Sequence, residues 1–159
     1  MLDVNDNTLI STSGTPGESV RQLLRTGYNG GAWTGPRLTS SAAAADASRT
    51  TALGYGVTPQ GELIVKYTSY GDTDLNGIIN FDDYARVDNG FNNAGADWFH
   101  GDFNYDGHVN FDDFALIDLA FNHQASPMFS VAVPESSICG IASLAATFLV
   151  RRRVGRAIR

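Results

Sequence analysis

The chain reads as an α+β protein on three observations. Two twelve-residue stretches, Asp72 to Asp83 (DTDLNGIINFDD) and Asp102 to Asp113 (DFNYDGHVNFDD), begin 30 residues apart, and each runs into a helical apolar pattern. Upstream, LDVNDNTLI and ELIVKYTSY alternate in the manner of strands. At the far end an apolar run, Ile138 to Val150, gives way to arginines. The expected organisation is a small β-rich region over 1–70, an α-helical pair of loop–helix units over 71–123, a linker over 124–133 and a hydrophobic C-terminal helix within 134–159.

Taken in order, LDVNDNTLIST places an Asn-Asp-Asn turn between apolar residues, which predicts a hairpin with Leu2, Val4, Leu9 and Ile10 on a core. Asp3, Asn5 and Asn7 begin a ligand-like spacing there, but Thr8 stands where a glycine is needed and Gly14 where a closing acid is needed. Pro16 opens and Gly27 closes a short amphipathic helix carrying Val20, Leu23 and Leu24. The Gly/Ser/Ala-rich passage from Tyr28 to Gly56 holds no phosphate-binding glycine motif, so its glycines read as turn formers. ELIVKYTSY is the strand that leads into the first loop.

The loops carry the chemistry. A calcium loop of the EF-hand type sets ligands at positions 1, 3, 5, 7, 9 and 12, with glycine at 6, so that one tight turn converges on one ion. The first copy supplies Asp72, Asp74, Asn76, Ile78, Asn80 and Asp83 around Gly77; the second supplies Asp102, Asn104, Asp106, His108, Asn110 and Asp113 around Gly107. Ile78 and His108 fall at position 7, which ligates through its backbone carbonyl and so tolerates different side chains. Three carboxylates and neutral amide oxygens in each loop are hard donors, suited to Ca2+ and to two ions in all. Hydrophobic residues recur in register at position 8 (Ile79, Val109) and position 10 (Phe81, Phe111), which unrelated Asp/Asn-rich turns have no reason to do. After each loop, acids in a first helical turn precede an apolar stripe: Phe81, Tyr84, Val87 and Phe91, then Phe111, Phe114, Ile117 and Phe121. The two stripes are expected to pair and bury one another. No helix pattern enters either loop.

This duplicated unit, GDTDLNGIINFDDYARVDNGF and GDFNYDGHVNFDDFALIDLAF, resembles the type I dockerin family over about a third of the chain. The resemblance implies two bound calcium ions, a pseudo-two-fold pair of helices and, in well-known members, docking onto a cohesin beside a polysaccharide-degrading enzyme. Cohesin-binding dockerins usually carry small hydroxyl residues at positions 10 and 11; here those places hold Phe81-Asp82 and Phe111-Asp112. Residues 2–72 resemble a segment that precedes dockerin-like repeats in large bacterial surface proteins with β-rich passenger regions, and MLDVNDNTLI is no signal peptide, so a chain that begins farther upstream is expected.

The tail resembles the PEP-CTERM sorting signal recognised by an exosortase: a Pro-Glu element (Pro134, Glu135, followed by Ser136 where the family has a second proline), an apolar run and the arginines Arg151, Arg152 and Arg153. Thirteen residues, Ile138 to Val150, fall short of the ~20 that span a hydrocarbon core. With snorkelling arginines they are expected to form a marginal, transient inner-membrane anchor, arginines on the cytoplasmic side and calcium loops outside. Cys139 lies within this run and has no disulfide partner in the chain.

Charge follows the same division: sixteen acids against six Lys/Arg before residue 131, one acid against five arginines after it. So acidic a body argues against nucleic acid as a partner. No nucleophile elbow or zinc-protease motif is present. His100, His108 and His123 are scattered, and Glu18 and Glu62 make only a weak glycosidase-type carboxylate pair. The expected function is a non-catalytic, calcium-binding, envelope-sorted C-terminal module of a secreted or surface-anchored protein. The alternative is a dockerin that attaches a glycoside hydrolase to a cohesin.

Overall fold

The computed structural model describes residues 1–11, 17–93 and 95–124. The linker beyond Gln124, the hydrophobic helix, Cys139, and the sorting residues Pro134, Glu135, Arg151, Arg152 and Arg153 lie outside them. Both α and β structure are present, with a small β region and four α-helices among the described residues.

A three-stranded antiparallel sheet is built on β5 (Leu63–Ser69), flanked by β2 (Thr8–Ser11) and β4 (Thr51–Val57). β5 alternates in burial over its first half, with Leu63 and Val65 buried on one face; beyond them the alternation breaks, and Thr68 is buried on the other face. Its register sets Thr8 opposite Lys66 on one side and Tyr55 opposite Val65 on the other. β4 arises inside the stretch read as turns. Gly54 is the reason the pattern misleads: a β-carbon there would come within 2.4 Å of Leu75 and 2.8 Å of the Trp98 indole, so the glycine lets the first loop and Trp98 pack onto the strand.

The N-terminal hairpin does not form. The chain turns at Asn5, whose φ of 55° is left-handed. β1 (Leu2–Asp3) then pairs in parallel with β3 (Leu38–Thr39), while β2 adds to the free edge of β5. Short strands take whichever partner satisfies their backbone, and side chains fix this choice: Asp3 Oδ1 accepts from Ser41 N and Asn5 N, both at 2.9 Å, and the Ser40 hydroxyl donates to Asn5 O at 2.6 Å. Only Val4 of the four expected core residues is fully buried; Leu2 and Ile10 are exposed.

Helix α1 (Gly17–Tyr28) forms where expected and buries Val20 and Leu24, leaving Leu23 exposed. A short α2 (Ser41–Ala45) follows. A single 3-10 turn, Trp98–His100, precedes the second loop; α3 (Phe81–Gly90) and α4 (Phe111–His123) follow the two loops.

One core runs across residue 70 and joins the segments expected as separate units. Tyr105, from the second loop, is fully buried with its ring 5.3 Å from Tyr28, 6.0 Å from Trp33 and 6.0 Å from Trp98, and its hydroxyl donates to Leu53 O at 3.0 Å. The Trp98 indole N–H donates to Asp72 O at 2.7 Å.

α3 and α4 meet end to opposite end. Tyr84 stacks edge-on to Phe121 and its hydroxyl donates to Asp118 Oδ1 at 2.7 Å, while Phe91 meets Phe111 and Phe114. The buried faces, however, are Asp83, Val87, Gly90 and Asp113, Ile117, Ala120. Phe81 and Phe111, expected inside the stripe, are 83% and 78% exposed. Each helix is rotated to turn its position-12 aspartate inward, and that rotation points the residue two places earlier outward.

Candidate metal centre

The two loops have nearly the same backbone. Gly77 and Gly107 have φ of 91° and 90°, the residues two places before them (Leu75, Tyr105) 62° and 63°, and the helix-capping residues Asn80 and Asn110 both −144°. A β-carbon would strain position 6 in either copy, which accounts for its glycine.

Local hydrogen bonds draw the acids inward. Gly77 N and Gly107 N each donate at 2.9 Å to Oδ2 of the position-1 aspartate, Asp72 and Asp102. Asp83 Oδ2 accepts from Asn80 N at 2.9 Å and Asp113 Oδ2 from Asn110 N at 3.0 Å, while each asparagine side chain accepts the amide two residues on at 2.7 Å. These are reciprocal capping boxes, so Asn80 and Asn110 start their helices as well as standing at position 9. Within the loops, Asp74 and Asn76, then Asn104 and Asp106, each accept the amide two places on. The Ile78 and His108 side chains are exposed, consistent with a position read through its backbone.

In the first loop Asp72, Asp74 and Asp83 each bring a carboxylate oxygen to within 4.8 Å of the others. Asp72, Asp83, Asp102 and Asp113 are fully buried. Buried carboxylate oxygens need partners, and among the described residues two lack them: Oδ1 of Asp72 and Oδ1 of Asp102, the same atom in both copies. Burial pushes the Asp102 carboxyl up to about 7 and raises Asp72 and Asp113 as well. The folded loops therefore concentrate hard, anionic oxygens that their own hydrogen bonds leave under-compensated. In the first loop such a donor set fits a divalent hard cation, which Asp72, Asp74 and Asp83 would hold; among the described residues Asp102, Asp106 and Asp113 are not drawn together as closely.

Several residues around the loops escape the template. Thr68 Oγ1 donates to Asp72 Oδ2, and Thr73 Oγ1 to Asp83 Oδ1 at 2.6 Å. Arg21 and Arg25 of α1 donate to the carbonyls of Tyr105 and Asp106, at 2.8 and 3.3 Å. Arg86 pairs with Asp74 and Asp83; its spacing three residues after Asp83 on a helix was a legible signal. The histidines are not brought together: His100 pairs with Asp97 through Nδ1 at 2.6 Å, and His108 and His123 are exposed. Among the described residues no helix is long and apolar enough to cross a membrane.

No family model matches the chain, and no curated protein or solved structure matches it either.

Proposed function

We propose that residues 71–123 bind two calcium ions, and that the chain is the non-catalytic, calcium-binding, envelope-sorted C-terminal module of an exported bacterial surface protein. One observation carries the calcium half: a buried, unpartnered Oδ1 on Asp72 and its repeat on Asp102, each at position 1 of a loop whose remaining donors are hard oxygens. The energetic case is direct, since an unpaired buried polar group costs about 1–3 kcal/mol, and more when charged, which a cation would offset at both places. Metal binding would then contribute to the folding free energy of the segment. The sorting half rests on the resemblance of residues 134–159 to a PEP-CTERM signal, with an exosortase-like enzyme and the inner membrane as partners.

The test is circular dichroism and amide exchange of the full chain in calcium chloride and in excess chelator. Protection over 71–123 should fall on chelation, and changing Asp72 and Asp102 together to Ala should reproduce the fall; identical exchange in both conditions would refute the calcium reading. For sorting, deletion of 131–159 should preserve calcium binding and abolish membrane retention in fractionated cells.

A second reading, a dockerin attaching a glycoside hydrolase to a cohesin-type partner, is favoured by the exposure of Phe81 and Phe111 at position 10 of both loops. Binding to a panel of cohesins at micromolar strength or tighter would select it; the acids Asp82 and Asp112 beside them oppose it, because docking would desolvate their charge.

A further inference from the structure

Arg86 turns back from the middle of α3 onto the first loop. Its Nη1 lies 3.1 Å from Asp74 Oδ2 and 3.2 Å from Asp83 Oδ1, and donates to Thr73 Oγ1 at 2.9 Å. The guanidinium is held over the Phe99 ring, 5.0 Å from its centroid. Asp74 and Asp83 are two of the three carboxylates that converge in this loop, and the third, Asp72, carries the unpartnered Oδ1. Arg86 thus sets a permanent positive charge among the same oxygens that a divalent ion would use.

The second loop lacks this device. One repeat later the residue is Leu116, packed against the core. Two arginines of α1 approach the second loop: Arg21 binds the Tyr105 carbonyl and stands 3.9 Å from Asp102 Oδ2, and Arg25 donates to the Asp106 carbonyl at 3.3 Å. The two loops therefore differ in whether a guanidinium bridges their position-3 and position-12 side chains, as well as in the order of Asp and Asn at positions 3 and 5 (Asp74 and Asn76 against Asn104 and Asp106).

We infer that Arg86 is a tethered competitor for the first-loop cation, so that this loop binds calcium more weakly than the second and fills after it. The inference rests on the reading of both loops as calcium sites. A guanidinium bridging Asp74 and Asp83 and a divalent ion ligated by them repel each other at contact distance, so the ion pairs must open before the loop closes on metal. Asp74 is partly exposed and the outer pair is the weaker, so opening begins there. The Phe99 ring keeps the displaced guanidinium close, ready to return when calcium falls.

The amides of Gly77 and Gly107, each bound to the position-1 carboxylate of its own loop, report the two sites separately by NMR during titration of the full chain with calcium chloride. In the natural protein Gly107 should shift at lower calcium than Gly77. Arg86→Gln and Arg86→Leu, the latter installing the residue of the second repeat, should lower the Gly77 midpoint about tenfold, roughly 1.4 kcal/mol, and move Gly107 far less. The glutamine variant keeps a donor for Thr73, which guards against a failure to fold, and a calcium-saturated spectrum like that of the natural protein verifies it. A Gly77 midpoint that stays or rises makes Arg86 a support of the loop and overturns the inference, as does an equal shift of both amides. If neither amide of the natural protein responds to calcium, the calcium reading itself fails, and the competitor with it.

Discussion

The side-chain amide of Gln124 closes on both polar backbone groups of Ile79, accepting from its N–H at 2.9 Å and donating to its carbonyl at 2.7 Å. Ile79 is position 8 of the first loop. Its counterpart Val109 receives the backbone N–H of Asn92 at 3.1 Å. The end of α4 thus braces the first loop, and the chain just after α3 braces the second.

Gln124→Ala should leave two backbone groups of Ile79 without their partner. The expected cost is about 1–3 kcal/mol in denaturant unfolding, with calcium weakened more at Gly77 than at Gly107. Equal effects at the two glycines would mean that the brace is not specific to its loop.

Acidity gives a second test. Burial raises Asp102 to about 7 and lifts Asp72 and Asp113 above their ordinary range. A carboxyl whose folded pKa exceeds its unfolded one favours folding below the unfolded value and loses that contribution as pH rises through the folded one. Metal-free protein should therefore lose stability between about pH 4 and about pH 7. Calcium binding has the opposite sense, since it must displace these protons, so its affinity should fall as pH drops below about 7 and proton release should accompany binding. Calorimetry in buffers of different ionisation enthalpy measures that release; none near pH 6 would contradict the prediction.

The helix faces give a third. Ile117 is fully buried, so Ile117→Ala should cost about 2–5 kcal/mol. Phe111→Ala removes a larger side chain that is 78% exposed and whose ring meets Phe91, and should change stability by no more than about 1 kcal/mol. Thermal unfolding of the two variants in calcium ranks them, and the reverse order would mean that the position-10 aromatics are packed after all.

Residue order alone specified what is local. The spacing of Asp72, Asp74, Asn76, Gly77 and Asp83, repeated thirty residues on, fixes how one turn converges, because the hydrogen bonds to its carboxylates span ten residues or fewer. The helices that follow are local too, started by the asparagines and aspartates of the loops themselves. Tertiary packing decided what spans longer separations. Which strand β2 joins, that Gly54 sits inside a strand, that Tyr105 anchors the second loop in the core shared with α1, and that Arg21 reaches a carbonyl 84 residues away all depend on partners brought together only by folding. The same holds for the helix faces: an apolar stripe marks a side that can be buried, but the inward demand of Asp83 and Asp113 set the rotation and left Phe81 and Phe111 in solvent.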